Sequence, residues 1–405
     1  MSPPAPITID FAPDADIAGV IQSIPDIRAV VSLETADART LMVAVTASAR
    51  DFAQARLGVA DTDAPVASSG RRADLSSVVR RIVLCPEPSA LEAELRYTGV
   101  LREKLPREYE KARERWQTWW LGVDARSPAP RFDRRELRDW LGASRGVPGV
   151  PAAKLIGPFA TRDAATYAAD SLVDLFDLCR YDHILAQSPH GVACAYKEMG
   201  RCPAPCDGSE SLDSYRARFA SACTLACDGY AALEPARLNM RQHALAQRFE
   251  LAAKAKLFLD GADKLLRGPL SLAASLEHFD WLISAPCPAR PSHRLRILRA
   301  RPRSVSLLAE CEIGDPAPVI AALGDLPSDD SQAFEMLDGA QADALGIVSK
   351  LLATATSGKR SSMRALRLQD RAADPRAIRE LVKRDRLRPE VASEPSEDQT
   401  TAAGN

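Results

Sequence analysis

Long apolar runs are missing from this chain. None approaches the roughly 20 residues that a membrane-spanning helix needs, so no membrane partner is expected. The opening residues, MSPPAPITIDFAPDADIAG, hold no basic stretch ahead of an apolar one. No secretion signal is read there, and a cytoplasmic protein is expected. Aromatic residues are scarce, at 5%. An excess of either charge is also lacking. The formal net charge of −1 excludes nucleic-acid binding through overall basicity and turns attention to local charge. P-loop, glycine-rich dinucleotide fingerprint and serine-hydrolase elbow are all absent.

What is present suffices for real cores, since 46% of the residues are hydrophobic. Nine cysteines are unevenly placed. Cys179, Cys194, Cys202 and Cys206 all fall in CRYDHILAQSPHGVACAYKEMGRCPAPC, with the spacing C-x14-C-x7-C-x3-C. In a reducing compartment clustered thiols bind metal more often than they pair as disulfides. Thiolates are soft ligands, so four of them suit zinc or an iron–sulfur cluster. The alternative is four free cysteines packed in a loop. His183 and His190 share the segment and read as surface histidines, while Cys223 and Cys227, at i and i+4, read as helix-face packing.

Along the chain, IRAVVSLE (27–34) and TLMVAVTA (40–47) predict a hairpin, and DFAQARLG (51–58) a helix ending at Gly58. Residues 61–72 read as a loop and RRIVLC (80–85) as a third strand. Residues 89–122 read as helix interrupted at Pro106, opened by a capping box of Ser89 and Glu92. On such a helix Trp116, Trp119 and Trp120 would form one packed face. The Pro-, Gly- and Arg-rich residues 123–157 read as a linker with little regular structure. Helices follow at 157–179, 211–229 and 234–268, the last with a turn near Gln247 and Arg248. Residues 279–313 return to strands, and the remainder is charged and helical up to a polar tail.

The cysteine segment and its flanks carry a resemblance. GPF (157–159), a helix, LFDLC (175–179) and CAYKEMGRCPAPC (194–206) resemble the UvrC family of bacterial excinucleases. The Gly-Arg-Cys-x-x-Pro-Cys ending matches at Gly200, Arg201, Cys202, Pro205 and Cys206. The resemblance implies an iron–sulfur cluster, of 4Fe–4S type, on Cys179, Cys194, Cys202 and Cys206, with zinc as the alternative. MRQHALAQRFELAAKAK (240–256) is similar to the UVR motif of that family. The similarity implies a helical hairpin that docks on a UvrB-like helicase through Met240, Ala244, Phe249, Glu250 and Ala253. Lys256 and Leu257 stand where the motif has Arg and Asp.

The same resemblance implies a GIY-YIG nuclease domain at the N-terminus. Its outline of hairpin, helix, strand and helix is there, but both motif tyrosines are missing and Tyr97 falls on the position of the metal-binding glutamate. Phosphodiester hydrolysis needs a carboxylate on a divalent metal and an arginine on the phosphate. Glu94 with Arg50 or Arg56 are the residues left for an altered site, and magnesium or manganese is implied only if that site works. The leading expectation is a DNA-repair protein that binds or scaffolds DNA with an inactive GIY-YIG-like domain. An active single-incision endonuclease and a zinc-stabilised interaction protein are the alternatives. The arginines Arg294, Arg296, Arg299, Arg301 and Arg303 alternate with apolar residues, so one strand face is expected either to track phosphates or to guard a sheet edge.

The expected fold class is α/β plus α. A degenerate GIY-YIG-like domain spans 1–122, and a linker with the cysteine segment 123–210. The UVR-like helical region is 211–268, a small α+β region of unassigned role 269–388, and a disordered tail 389–405.

Overall fold

The computed structural model describes residues 5–58, 74–123, 127, 129–143, 154–288, 290–325, 337–356, 364–368 and 374–383. The loop expected at 61–72 and the tail at 389–405 lie outside the described residues. Among these the chain builds three four-stranded antiparallel sheets and many helices, a mixed α and β architecture. No described helix is long and apolar enough to cross a membrane.

The first sheet gathers β1 (Ile7–Asp10), α1 (Ile17–Ser23), β2 (Ala29–Glu34), β3 (Thr40–Thr46), α2 (Ala49–Leu57), β4 (Arg81–Pro86), α3 (Ala90–Lys104) and α4 (Pro106–Ala112). Its strand order is β1-β4-β2-β3. Period-two alternation splits β2 between two cores. Ala29, Val31 and Leu33 meet Ala49, Ala53 and Leu57 of α2, while Val30 faces the opposite way with Val43 onto Leu101 and Tyr109. Helices on both faces explain why every residue of β2 is buried. Ser89 caps α3 by accepting from the Glu92 amide at 3.2 Å and donating to its carboxylate at 2.7 Å.

After a 3-10 turn at Arg113–Trp116 comes the second sheet: β5 (Trp119–Val123), β6 (Phe132–Glu136), α5 (Leu137–Ala143) and β7 (Lys154–Phe159). Then follow α6 (Arg162–Leu175), α7 (Asp182–Leu185), α8 (Ala195–Glu198), α9 (Leu212–Asp228), α10 (Glu234–Leu245), α11 (Phe249–Arg267) and the short β8 (Ala274–Ser275). The strand order is β6-β5-β7-β8. Two expectations are corrected here. Residues 119–123 are strand, not the end of a helix, and the expected linker at 123–157 supplies β6, α5 and β7. The tryptophans therefore do not share a helix face. Trp116 and Trp120 are buried in one core, whereas Trp119 turns away beneath the Arg162 guanidinium, 5.7 Å over its ring. The long helical reading failed because β5 pairs on both sides, an energy that local pattern does not show.

The third sheet holds β9 (Trp281–Pro286), β10 (Arg294–Arg301), β11 (Ser304–Glu312), α12 (Ala317–Gly324), α13 (Gly339–Thr356), β12 (Arg364–Arg367) and α14 (Pro375–Val382), in the order β11-β10-β9-β12. One apolar core crosses the chain at residues 122 and 269. It joins Leu91 of α3, Trp120 of β5, Leu155 of β7, Phe279, Leu298 of β10, and Leu345 and Val348 of α13. A polar lock reinforces it. Tyr109 donates to buried Asp343 of α13 at 2.5 Å, and Arg138 of α5 donates to both, 2.7 Å from the phenol oxygen.

Candidate functional site

The cysteine segment fills the space between α6 and α9. Leu175 ends α6, and Asp177 adopts a left-handed φ of 49°, which turns the chain so that Leu178 buries and Cys179 follows. Short helices α7 and α8 carry the loop round. RCPAPC then makes a tight turn in which Ala204, without glycine's freedom, holds φ 60° while 1% exposed. That backbone costs about 1 kcal/mol or more and persists because Pro203 and Pro205 fix its neighbours. The turn returns something: the Ala204 amide donates to the Cys202 sulfur at 3.4 Å. Amide-to-sulfur bonds of this kind stabilise thiolates and tune the clusters they hold.

Cys206 is buried, and Cys179, Cys194 and Cys202 are half-buried. Cys179 is pushed up to about 11, chiefly by burial, with the negative charges of Cys202, Cys206 and Cys194 adding to the rise. Cys202 is raised by burial first and then by Cys194 and Cys206. The four sulfurs thus share one electrostatic neighbourhood. Among the described residues no group of three or more His, Cys, Asp or Glu side chains is placed so that it could hold a metal ion. The donor chemistry suits a soft metal or cluster, which would have to draw the sulfurs together.

The loop is held at both ends by one helix. Arg218 of α9 donates to the carbonyls of Phe176 and Asp177, each at 2.6 Å, just before Cys179. Its other nitrogens donate to Glu210 at 2.9 and 2.5 Å, just after Cys206. One turn earlier, the fully buried Tyr215 donates to the carbonyl of Pro130 at 3.1 Å, and its hydroxyl is raised by burial and by the adjacent Cys179. Inside the loop, Lys197 donates to Asp207 and Ser209, both at 2.6 Å. Nothing in the sequence singles out Arg218 or Tyr215, because the groups they hold lie up to 85 residues away. Cys223 and Cys227 are buried in the core under α9, and His183 and His190 are exposed.

The candidate nuclease residues are not gathered. Arg50 and Arg56 sit on α2, which packs on one face of the first sheet, and Glu94 sits on α3, on the other. Arg50 donates to the Ile24 carbonyl at 2.9 Å, and Arg56 lies over Phe52. The carboxyl of Glu94 is raised by burial, with Arg115, 3.9 Å away, opposing the rise.

The expected basic strand face is also corrected. Arg299 is 6% exposed and pairs with Asp280 at 2.5 Å, while Arg296 bridges Glu92 at 2.9 Å and Glu310 at 2.6 Å. By plain alternation Arg299 shares the face of Leu295 and Ile297, opposite Arg294 and Arg296, and both faces of β10 are covered by core; the register shift beside Ile297 and Leu298 adds its extra residue to β11 and leaves the β9–β10 pairing unbroken. Arg294 reaches Glu310 at 3.7 Å, and Arg301 and Arg303 lie at the turn into β11. Arg296 and Arg299 are therefore unavailable to phosphates.

The expected hairpin forms as α10 and α11, joined by a turn with Gln247 at φ 57°. Met240 is half-buried, and Ala244, Phe249, Glu250 and Ala253 are exposed. No residue of α10 is buried. Only the far end of α11 packs on the body: Gly261 lies so close to Leu175 that a Cβ would stand 2.9 Å from it, and Phe258 meets Phe176 edge-on at 5.4 Å.

Residues 120–225, from β5 through the cysteine segment into α9, match the family model of the UvrC/Cho excinuclease middle domain. The resemblance to that family is thereby shown over this span. No curated protein and no solved structure gives a significant match to the chain.

Proposed function

We propose, from the UvrC/Cho middle domain that the chain carries, that the protein is a component of nucleotide excision repair that binds or scaffolds DNA. The observation that supports this is the family match over the segment that holds the four thiols. Cys179, Cys194, Cys202 and Cys206 would hold an iron–sulfur cluster of 4Fe–4S type, or zinc. When bound, the group cross-links the loop through four thiolates. The protein prepares that site with the Ala204 amide on Cys202 and with Arg218 fixing both loop ends.

The separation of Glu94 from Arg50 and Arg56 by the first sheet favours the non-nuclease reading over a single-incision endonuclease. A UvrB-like helicase, implied by the resemblance, would meet the exposed α10–α11 hairpin.

The test is the visible spectrum and the iron, sulfide and zinc content of anaerobically purified protein, wild type and Cys202→Ser. Brown absorption with iron and sulfide, lost in the variant, is expected. Stoichiometric zinc without colour moves the reading to a structural interaction module. Neither metal in the wild type removes the four-thiol site altogether.

A further inference from the structure

Aromatic residues are scarce in this chain, yet three rings crowd the surface of the cysteine segment. Tyr181 lies 6.0 Å from Tyr196 and 5.9 Å from His183, centroid to centroid. Tyr181 and His183 are exposed and Tyr196 is half-buried. The Arg180 guanidinium lies 4.8 Å over the Tyr196 ring. Neither phenol oxygen nor the imidazole makes a hydrogen bond among the described residues. Each tyrosine follows a thiol by two positions, Cys179 and Cys194, and the Cys179 sulfur donates to the Tyr181 carbonyl at 3.6 Å. The backbone that carries the sulfurs therefore also positions the rings.

We propose that Tyr181, His183 and Tyr196 form a stacking platform for unpaired nucleobases. The inference rests on the reading that the protein acts on DNA, and it names what is contacted. Charge argues against a duplex at this surface. Arg180 is paired with Asp174, Lys197 with Asp207, and Asp182 with Arg131, so the flanking charges are of mixed sign and largely neutralised within the protein. A duplex presents phosphates and hides its base faces, the reverse of what these rings can take up. Unpaired bases present flat faces, and tyrosine, histidine and stacked arginine are side chains that receive them. Arg201, whose amide donates to the Tyr196 carbonyl at 2.9 Å, is exposed without an ion pair among the described residues and supplies a cation for a neighbouring phosphate. Beyond the rings the segment exposes two large apolar side chains, Val192 and Met199, too little to exclude water from a protein interface.

The test uses the full chain, its metal content measured, and two fluorescein-labelled strands of about 12 nucleotides. One strand is all thymidine, and the other keeps the phosphates but has abasic sugars. A stacked base is worth about tenfold or more in affinity, so the wild type should prefer the thymidine strand by at least that factor in anisotropy titrations. Tyr181→Ala should remove most of the preference and leave the affinity for the abasic strand unchanged. Tyr181→Phe should keep the preference, because the ring and not the hydroxyl stacks. An arm without variants photo-crosslinks the wild type to a thymidine strand carrying one 5-iodouracil. Mass spectrometry should then find the crosslink on Tyr181, His183 or Tyr196. Equal affinity for the two strands, an unaltered preference in Tyr181→Ala, or crosslinks confined to other elements would overturn the platform and leave the DNA reading standing. If the wild type binds neither strand, nor a duplex of the same length at low salt, the DNA reading fails along with the platform.

Discussion

Replacing Arg218 with alanine isolates what holds the cysteine segment in place. The side chain makes two charge-assisted bonds to carbonyls at 2.6 Å and a forked pair to Glu210, with the arginine 26% and the glutamate 9% exposed. Charge-assisted bonds contribute about 1.5–3 kcal/mol each in such settings, and an orphaned, nearly buried carboxylate adds a desolvation cost. These terms overlap, and Glu210 can turn toward water, so the net loss is about 3–4 kcal/mol, felt first as opening of the loop. That corresponds to a rise of roughly 100- to 1,000-fold in the open population. The assay is pulsed alkylation of metal-free, reduced protein, read by mass spectrometry at Cys179, Cys194, Cys202 and Cys206, beside urea unfolding. Labelling of Cys179 and Cys206 should accelerate by about that factor, while Cys311 in the third sheet stays protected. Arg218→Lys keeps the charge but loses the fork, and should recover less than half of the protection. Unchanged labelling, with unfolding within about 0.5 kcal/mol of wild type, would falsify the idea that α9 clamps this loop.

Three further outcomes test the frame around the site. Gly157→Ala sets a Cβ 2.8 Å from the buried Trp120 ring, and should destabilise by about 1–3 kcal/mol in urea melts; a neutral result would mean that β5 and β7 can separate freely. Asp343→Asn leaves Arg138 and Tyr109 facing a neutral amide in a buried lock, and should lose about 2–3 kcal/mol, with Tyr109→Phe non-additive to it in a double-mutant cycle. Lys197 and Ser209 hold the carboxyl of Asp207 down at about 2. Its folded value lies below its unfolded one, so its contribution is present above about pH 4 and fades as pH falls toward 2. In Asp207→Asn the loop should lose this acid sensitivity, which alkylation with an acid-tolerant thiol reagent would read; equal acid responses of variant and wild type would rule the pair out.

The sequence by itself determined the elements with strong local signals. The β2–β3 hairpin, the capping box at Ser89 and the three strands of 279–313 all form within a few residues of their predicted places, because alternation, caps and turns act over neighbours. The cysteine spacing likewise stood out along the chain, and the turn near Gln247 was marked by the break in helical pattern. Tertiary structure decided the rest. It made strand of 119–123, since pairing on two sides outweighs a helical pattern. It drew β6 and β7 from a Pro- and Gly-rich stretch that carries no strong period. It buried Arg299, which alternation places opposite Arg294 and Arg296, by laying cores on both faces of β10 and pairing the arginine with Asp280. It set Arg50 and Arg56 across a sheet from Glu94, and it brought Arg218 to both ends of the cysteine loop. Those relations depend on which faces pack together, and packing is settled by the whole chain at once.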